Sequence, residues 1–134
     1  MQTYIKPSEL KSKLKTLISI QKPAFIWGAS GIGKSEIIAK VADELGYNLI
    51  DVRVSLLDPV DLRGVPSVEN GTTKWNPPVF LPQEGDGKSI LFLDELPHGS
   101  PSVQNALFQL IRDRKIGEYS LPSDTIILLS LIHI

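Results

Sequence analysis

Gly28-Ala29-Ser30-Gly31-Ile32-Gly33-Lys34-Ser35 is the stretch that decides the fold. It satisfies G-x-x-x-x-G-K-[ST], the pattern of a phosphate-binding loop. An apolar run, Ala24 to Trp27, precedes it, and a helical pattern with apolar Ile37, Ile38, Val41, Ala42 and Leu45 follows. That strand–loop–helix context separates a functional loop from a glycine-rich turn that matches by chance. Gly28, Gly31 and Gly33 let the backbone come close to a phosphate where a Cβ would intrude. The N–H groups of Ala29, Ser30, Gly31, Ile32 and Gly33 are then expected to cradle a triphosphate, at the positive end of the helix that follows. Lys34 reaches the β- and γ-phosphates in this pattern, and the Ser35 hydroxyl is a ligand for Mg²⁺.

A second strand is expected from Tyr47 to Ser55, directly after Gly46 stops the helix. Strand, loop, helix and strand make a βαβ unit, which requires a parallel sheet and a right-handed crossover. Ser89 to Leu93 is a continuous apolar run, as a strand buried on both faces requires. It ends in Asp94-Glu95. Ligands of open parallel sheets bind beyond the carboxyl ends of the strands, so these carboxylates face the same site as the loop. Asp94 is placed to hold Mg²⁺, directly or through water, and Glu95 to polarise a water for attack on the γ-phosphate.

The remaining chain supplies the frame. Leu10, Leu14, Leu17 and Ile18 recur at helical spacing over residues 7–20. Asp58-Pro59 opens a short helix, and Asn70-Gly71 between Val65–Val68 and Thr72–Trp75 predicts a hairpin. Ser100-Pro101 caps another helix with a Val103, Ala106, Leu107, Leu110, Ile111 stripe. Arg112, Arg114 and Lys115 are expected in its last turn, with Gly117 as its stop. A final strand begins near Thr125.

Composition bounds the rest. The 134 residues carry 14 Lys and Arg against 15 Asp and Glu, so no global field recruits nucleic acid or an anionic membrane. There is no cysteine, which excludes a disulfide framework, thiolate catalysis and cysteine zinc sites. No signal-peptide pattern or membrane-length apolar run is present, and a cytoplasmic protein is the expectation. His98 reads most simply as a solvated loop residue and Asp58 as a helix cap rather than a metal ligand. Arg63 reads as a surface residue, and Trp27 and Trp75 as packing residues.

At this point the chain resembles AAA+ ATPases of the MoxR-like group, in the helix-2-insert clade. The likeness runs from Pro23 to about Ile127. It is carried by the phosphate loop, by Leu57-Asp58-Pro59-Val60-Asp61-Leu62-Arg63-Gly64, by Trp75-Asn76-Pro77-Pro78, and by Asp94-Glu95-Leu96 with Val103-Gln104-Asn105-Ala106-Leu107. The chain departs from that pattern at Pro97-His98, where such proteins carry Asn and then a polar or basic residue. The resemblance implies a three-layer α/β P-loop NTPase with a parallel sheet, an AAA+ core without its last strand and lid. It implies ATP and Mg²⁺ as cofactors and ATP hydrolysis in an oligomeric ring, commonly a hexamer, with an arginine from the neighbouring subunit at the phosphates. It also implies remodelling of a protein partner, frequently one with a von Willebrand A-type domain. A DNA-related ATPase and a nucleotide-gated binding module without turnover are the alternatives.

The expected organisation is an N-terminal helix and linker over 1–22 and a partial ATPase core over 23–128, with the hairpin insert at about 58–82. Residues 129–134, Leu-Ser-Leu-Ile-His-Ile, are the translation of CTG TCT CTT ATA CAC ATC, the end of a transposase-based sequencing adapter. They are expected to be read-through, with the native frame continuing differently after Leu128. A sensor Asn is expected near position 131, where Leu131 stands.

Overall fold

The computed structural model describes residues 7–20, 24–28, 34–76, 78 and 80–132. Four parallel strands form the central sheet: β1 (Ala24–Gly28), β2 (Asn48–Arg53), β5 (Ser89–Asp94) and β8 (Thr125–Ile132). Their spatial order is β1-β8-β5-β2, so the last strand in the chain lies between the first and the third. Helices cover both faces, giving three layers.

Alternation along the strands sorts the core. On β5 the fully buried Ile90 and Phe92 pack with Leu14 and Ile18 of α1 (Pro7–Ser19) and with Ile38, Val41 and Ala42 of α2 (Lys34–Leu45). Leu91 and Leu93 point the other way, against Val103, Leu107 and Leu110 of α4 (Pro101–Asp113). Successive strand residues face opposite sides of a sheet, so an apolar run buries both. Lys15 of α1 pairs with Glu44 of α2 at 2.7 Å, tying the two helices of one face.

The insert follows β2. A 3₁₀ turn at Val54–Leu56 leads to α3 (Pro59–Arg63), whose first turn is closed by Asp61 accepting a hydrogen bond from the Asp58 N–H at 2.8 Å. Asp58 and Asp61 thus serve the helix start, as expected of Asp58 from the sequence. The strands β3 (Val65–Glu69) and β4 (Thr72–Asn76) form an antiparallel hairpin. Its turn residues Asn70 and Gly71 have φ of 51° and 76°, the positive pair that a type I′ turn demands and that Asn-Gly supplies cheaply.

The expected end of the last helix needs correction. α4 stops at Asp113 because Arg114 adopts a left-handed φ of 57°. Arg114 and Lys115 therefore lie outside the helix. The Arg114 guanidinium donates instead to the carbonyls of Pro122 and Thr125, at 2.7 and 2.8 Å. Lys115–Ile116 and Tyr119–Ser120 form a second small hairpin, β6 and β7, and Gly117 lies in its turn rather than at a helix end. The Tyr119 hydroxyl donates to the Pro82 carbonyl, fastening this hairpin to the segment after the insert. Among the described residues no helix is long and apolar enough to cross a membrane.

Candidate nucleotide site at the sheet's carboxyl edge

β1 ends at Gly28 and α2 begins at Lys34, so the expected phosphate loop bridges them. Ala29, Ser30, Gly31, Ile32 and Gly33 lie outside the described residues, as do the side chains of Lys34 and Ser35. The backbone around the loop has the strand–loop–helix form that the motif requires, with Lys34 and Ser35 in the first turn of α2.

Register places the carboxylates relative to that loop. Leu93 pairs with Leu129 on β8, and Ser130 of β8 pairs with Ile26 of β1. Asp94 is therefore level with Ile26, two strand spacings or about 10 Å across the sheet, and about 7 Å short of Gly28 along it. All these strands are parallel, so Asp94 and the end of β1 lie on one edge. Asp94 follows Ile90 and Phe92 in alternation, and so it projects on the face covered by α2.

Asp94 pairs in register with Arg53 on β2. Burial first, then the Asp94 carboxylate, pushes the carboxyl of Asp51 above its ordinary range, while Arg53 pulls it down. Asp51 and Asp94 thus share the α2 face with Arg53 between them. The Asp94 carboxylate and the hydroxyl expected at Ser35 are hard oxygen donors of the kind that suits Mg²⁺, which keeps waters and phosphate oxygens in its shell rather than a full protein cage. Among the described residues no three His, Cys, Asp or Glu side chains gather into a metal site.

Glu95 is held in an unusual way. Its backbone is left-handed, at φ 59° and ψ 39°, and it leads into a 3₁₀ turn at Leu96–His98. A non-glycine residue in this region is uncommon and requires support from its surroundings. That support is visible. The Ser55 hydroxyl donates to Glu95 Oε2 at 2.8 Å. The Gln104 amide donates to the carbonyls of Pro97 and Gly99, at 3.2 and 2.8 Å, pinning the turn to α4. Gly99 permits the close packing of this turn on the one at Val54–Leu56, because a Cβ there would lie 2.6 Å from Val54 Cγ1.

The sequence identified Asp94 and Glu95 but not Ser55, Gly99 or Gln104 as their supports. Ser55 and Glu95 are forty positions apart, and only the parallel pairing of β2 with β5 brings them together. His98 is exposed, as a solvated loop residue should be, whereas Trp75, expected to be a packing residue, is 37% exposed on β4 of the insert. The side chains of Trp27 and Arg63 lie outside the described residues.

Comparison with known proteins agrees with this geometry. The family profile of the AAA domain (dynein-related subfamily) matches residues 23–123. Midasin from Giardia intestinalis is 30% identical over 115 residues, covering 81% of this chain and 2% of that very long protein. Among solved structures, a candidate ATPase from Cytophaga hutchinsonii superposes with a TM-score of 0.69 at 16% identity, over 95% of this chain and 39% of that one. NtrX from Brucella abortus in complex with ADP gives 0.66 at 16% identity, over all of this chain and 31% of its own. The chain thus spans well under half the length of each of these proteins.

Proposed function

Because the chain belongs to the AAA domain family, dynein-related subfamily, we propose that it is the nucleotide-binding core of a machine that hydrolyses Mg-ATP to remodel a protein partner. The observation that carries this reading is the pair Asp94 and Glu95 on the edge where β1 ends and α2 begins, with Glu95 fixed by Ser55. The crystallisation of NtrX with ADP adds weight to nucleotide as the ligand.

In this mechanism the loop Gly28–Ser35 wraps the triphosphate with its N–H groups, and Lys34 sits against the β- and γ-phosphates. Ser35 and Asp94 would hold Mg²⁺, which would neutralise charge on the phosphate oxygens. Glu95 accepts a hydrogen bond from the attacking water and aims it in line with the bond to be broken. Ser55 keeps that carboxylate from wandering among rotamers. The MoxR-like assignment rests on the 57–64 and 75–78 segments, which fold as the α3 helix and the hairpin strand β4 with its exit. It brings a ring, commonly of six subunits, a neighbour's arginine at the phosphates and a partner with a von Willebrand A-type domain; the cytoplasmic setting is a separate proposal from the sequence pattern. Residues 129–134 are, in our proposal, adapter read-through on the codon argument, although residues 129–132 complete β8 and pair with β1 and β5. The native continuation is then expected to supply a strand of the same kind there, and an independently sequenced gene to differ after Leu128.

The test uses the full-length protein. Lys34→Ala should abolish ATP binding by calorimetry. Glu95→Gln should retain binding within a few-fold and lower phosphate release by at least about a hundredfold. Turnover at the parental rate in Glu95→Gln removes the role given to that residue, and absence of phosphate release from the assembled parent favours a nucleotide-gated binding module.

A further inference from the structure

Away from the nucleotide edge, two adjoining clefts run between the insert, α4 and the β6–β7 hairpin. One is about 330 Å³ and the other about 470 Å³. Leu62, Trp75, Ile116 and Glu118 line both, so the two form one groove with two chambers. Neither set of lining residues includes Lys34, Asp94 or Glu95.

We propose that this groove binds an extended, basic polypeptide segment anchored by apolar side chains. The inference deepens the reading of a machine that acts on a protein, by giving the chemistry of what it grips.

Three observations converge. Leu62, Trp75 and Ile116 give both chambers an apolar wall, which Ala106 extends in the larger one, while in the smaller one Pro78 and Tyr119 share the lining with polar Asn76, Gln83 and Ser120. Trp75 stands 37% exposed at the junction, a large surface left half open to an incoming side chain. Its strand partner Pro66 is also exposed, and Val65 beside it is 68% exposed, so apolar surface continues from the groove onto the hairpin.

The charged side chains among the described lining residues are acidic, Glu84 and Glu118. Burial pushes the Tyr119 hydroxyl up to about 12, with Arg114 opposing and Asp86 and Glu84 adding to the rise, so Asp86 contributes to the same field. The Arg114 cation lies beside Tyr119 but is tethered to two backbone carbonyls, so the acidic stretch of the rim lies at Glu84 and Glu118. An acidic rim over an apolar floor complements Lys or Arg flanked by apolar residues, and it repels the phosphates of a nucleic acid.

Two chambers joined at shared walls also select for shape. Alternate residues of an extended strand lie about 7 Å apart on one face, so a peptide can place one apolar anchor in each chamber. The intervening residues then project toward the rim, where Glu84 and Glu118 lie.

The test measures fluorescence anisotropy of a labelled ten-residue peptide of alternating lysine and leucine, without nucleotide. The expected result is binding at least about tenfold tighter than for the glutamate–leucine peptide and for the lysine–serine peptide. The exposed double change Glu84→Lys with Glu118→Lys should weaken the basic peptide by about tenfold or more and improve the acidic one. Circular dichroism should show the variant folded. Lys34→Ala should bind the basic peptide as the parent does, which separates this result from any failure of the nucleotide reading. Absence of binding, equal binding of the basic and acidic peptides, or no effect of the charge reversal overturns the proposal. Competition by spermine or a DNA duplex at concentrations equal to the peptide's overturns the assignment to a polypeptide.

Discussion

The Glu95 carboxylate accepts a hydrogen bond from the Ser55 hydroxyl while the residue's own backbone sits in a region that a side chain disfavours. The two facts belong together, because a strained backbone is kept only where neighbours over-determine it. The hydroxyl fixes one oxygen of the carboxylate and leaves the other for a water. Ser55→Ala frees the side chain without altering its charge. We expect kcat for ATP hydrolysis to fall about three- to tenfold with KM within twofold, the range a single hydrogen bond supplies. Ser55→Thr, which keeps the hydroxyl, should recover most of the loss. Steady-state kinetics on the three proteins decide it, and equal kcat values show the bond to be idle. Asp94 and Glu95 were legible in the sequence because a buried strand ending in acids is a local pattern. Ser55 was not, since its partner lies across a strand pair whose register is a property of the fold.

At the scale of elements, the short turns around the site are more constrained than the helices that flank them. Gly99 lies where the turn of residues 96–98 meets that of 54–56, and a Cβ there would overlap Val54, a fully buried β-branched residue. Gly99→Ala should therefore destabilise by about 1–3 kcal/mol, read by chemical denaturation, as overpacked sites do. A loss below about 0.5 kcal/mol shows that Val54 moves aside cheaply. The β6–β7 hairpin carries a different sensitivity. Tyr119 has its hydroxyl raised to about 12 by burial, so the folded state holds its proton more tightly than an unfolded chain does. Stability is then unaffected below about pH 10 and declines as pH rises toward 12, because only the unfolded chain ionises readily in that window. Tm followed between pH 9 and 12 should drop more steeply in the parent than in Tyr119→Phe. The helix starts, the Asn-Gly turn and most strands were legible as local chemistry. The end of α4 was not, because Arg114 stops the helix to serve the carbonyls of Pro122 and Thr125, partners that no local rule names.

At the scale of the molecule, a nucleotide in the proposed site would join β1 and α2 to β5. β1 and α2 hold one side of the expected phosphate site, and β5, braced by α4 through Gln104, holds the other. A ligand gripped from both sides binds the folded chain alone. MgATP at about a hundred times its Kd should then add about 2.7 kcal/mol, a rise in Tm on the order of 10 °C. The same ATP with EDTA should give a smaller rise, and Lys34→Ala none, by scanning calorimetry. A rise that is the same with and without EDTA removes Mg²⁺ from the account.

The interposition of β8 between β1 and β5 has a consequence in time. A chain emerging from the ribosome exposes β1 and its loop first, yet among the described residues β1 pairs in the sheet only with β8, about a hundred residues later. Partners so distant in sequence make for slow closure. Until Thr125–Ile132 arrives, β1 has no described strand to pair with, although α2 can already rest on β2 and β5. The cradle for the phosphates is written early in the chain, yet the strand that leads into it waits on a segment made much later.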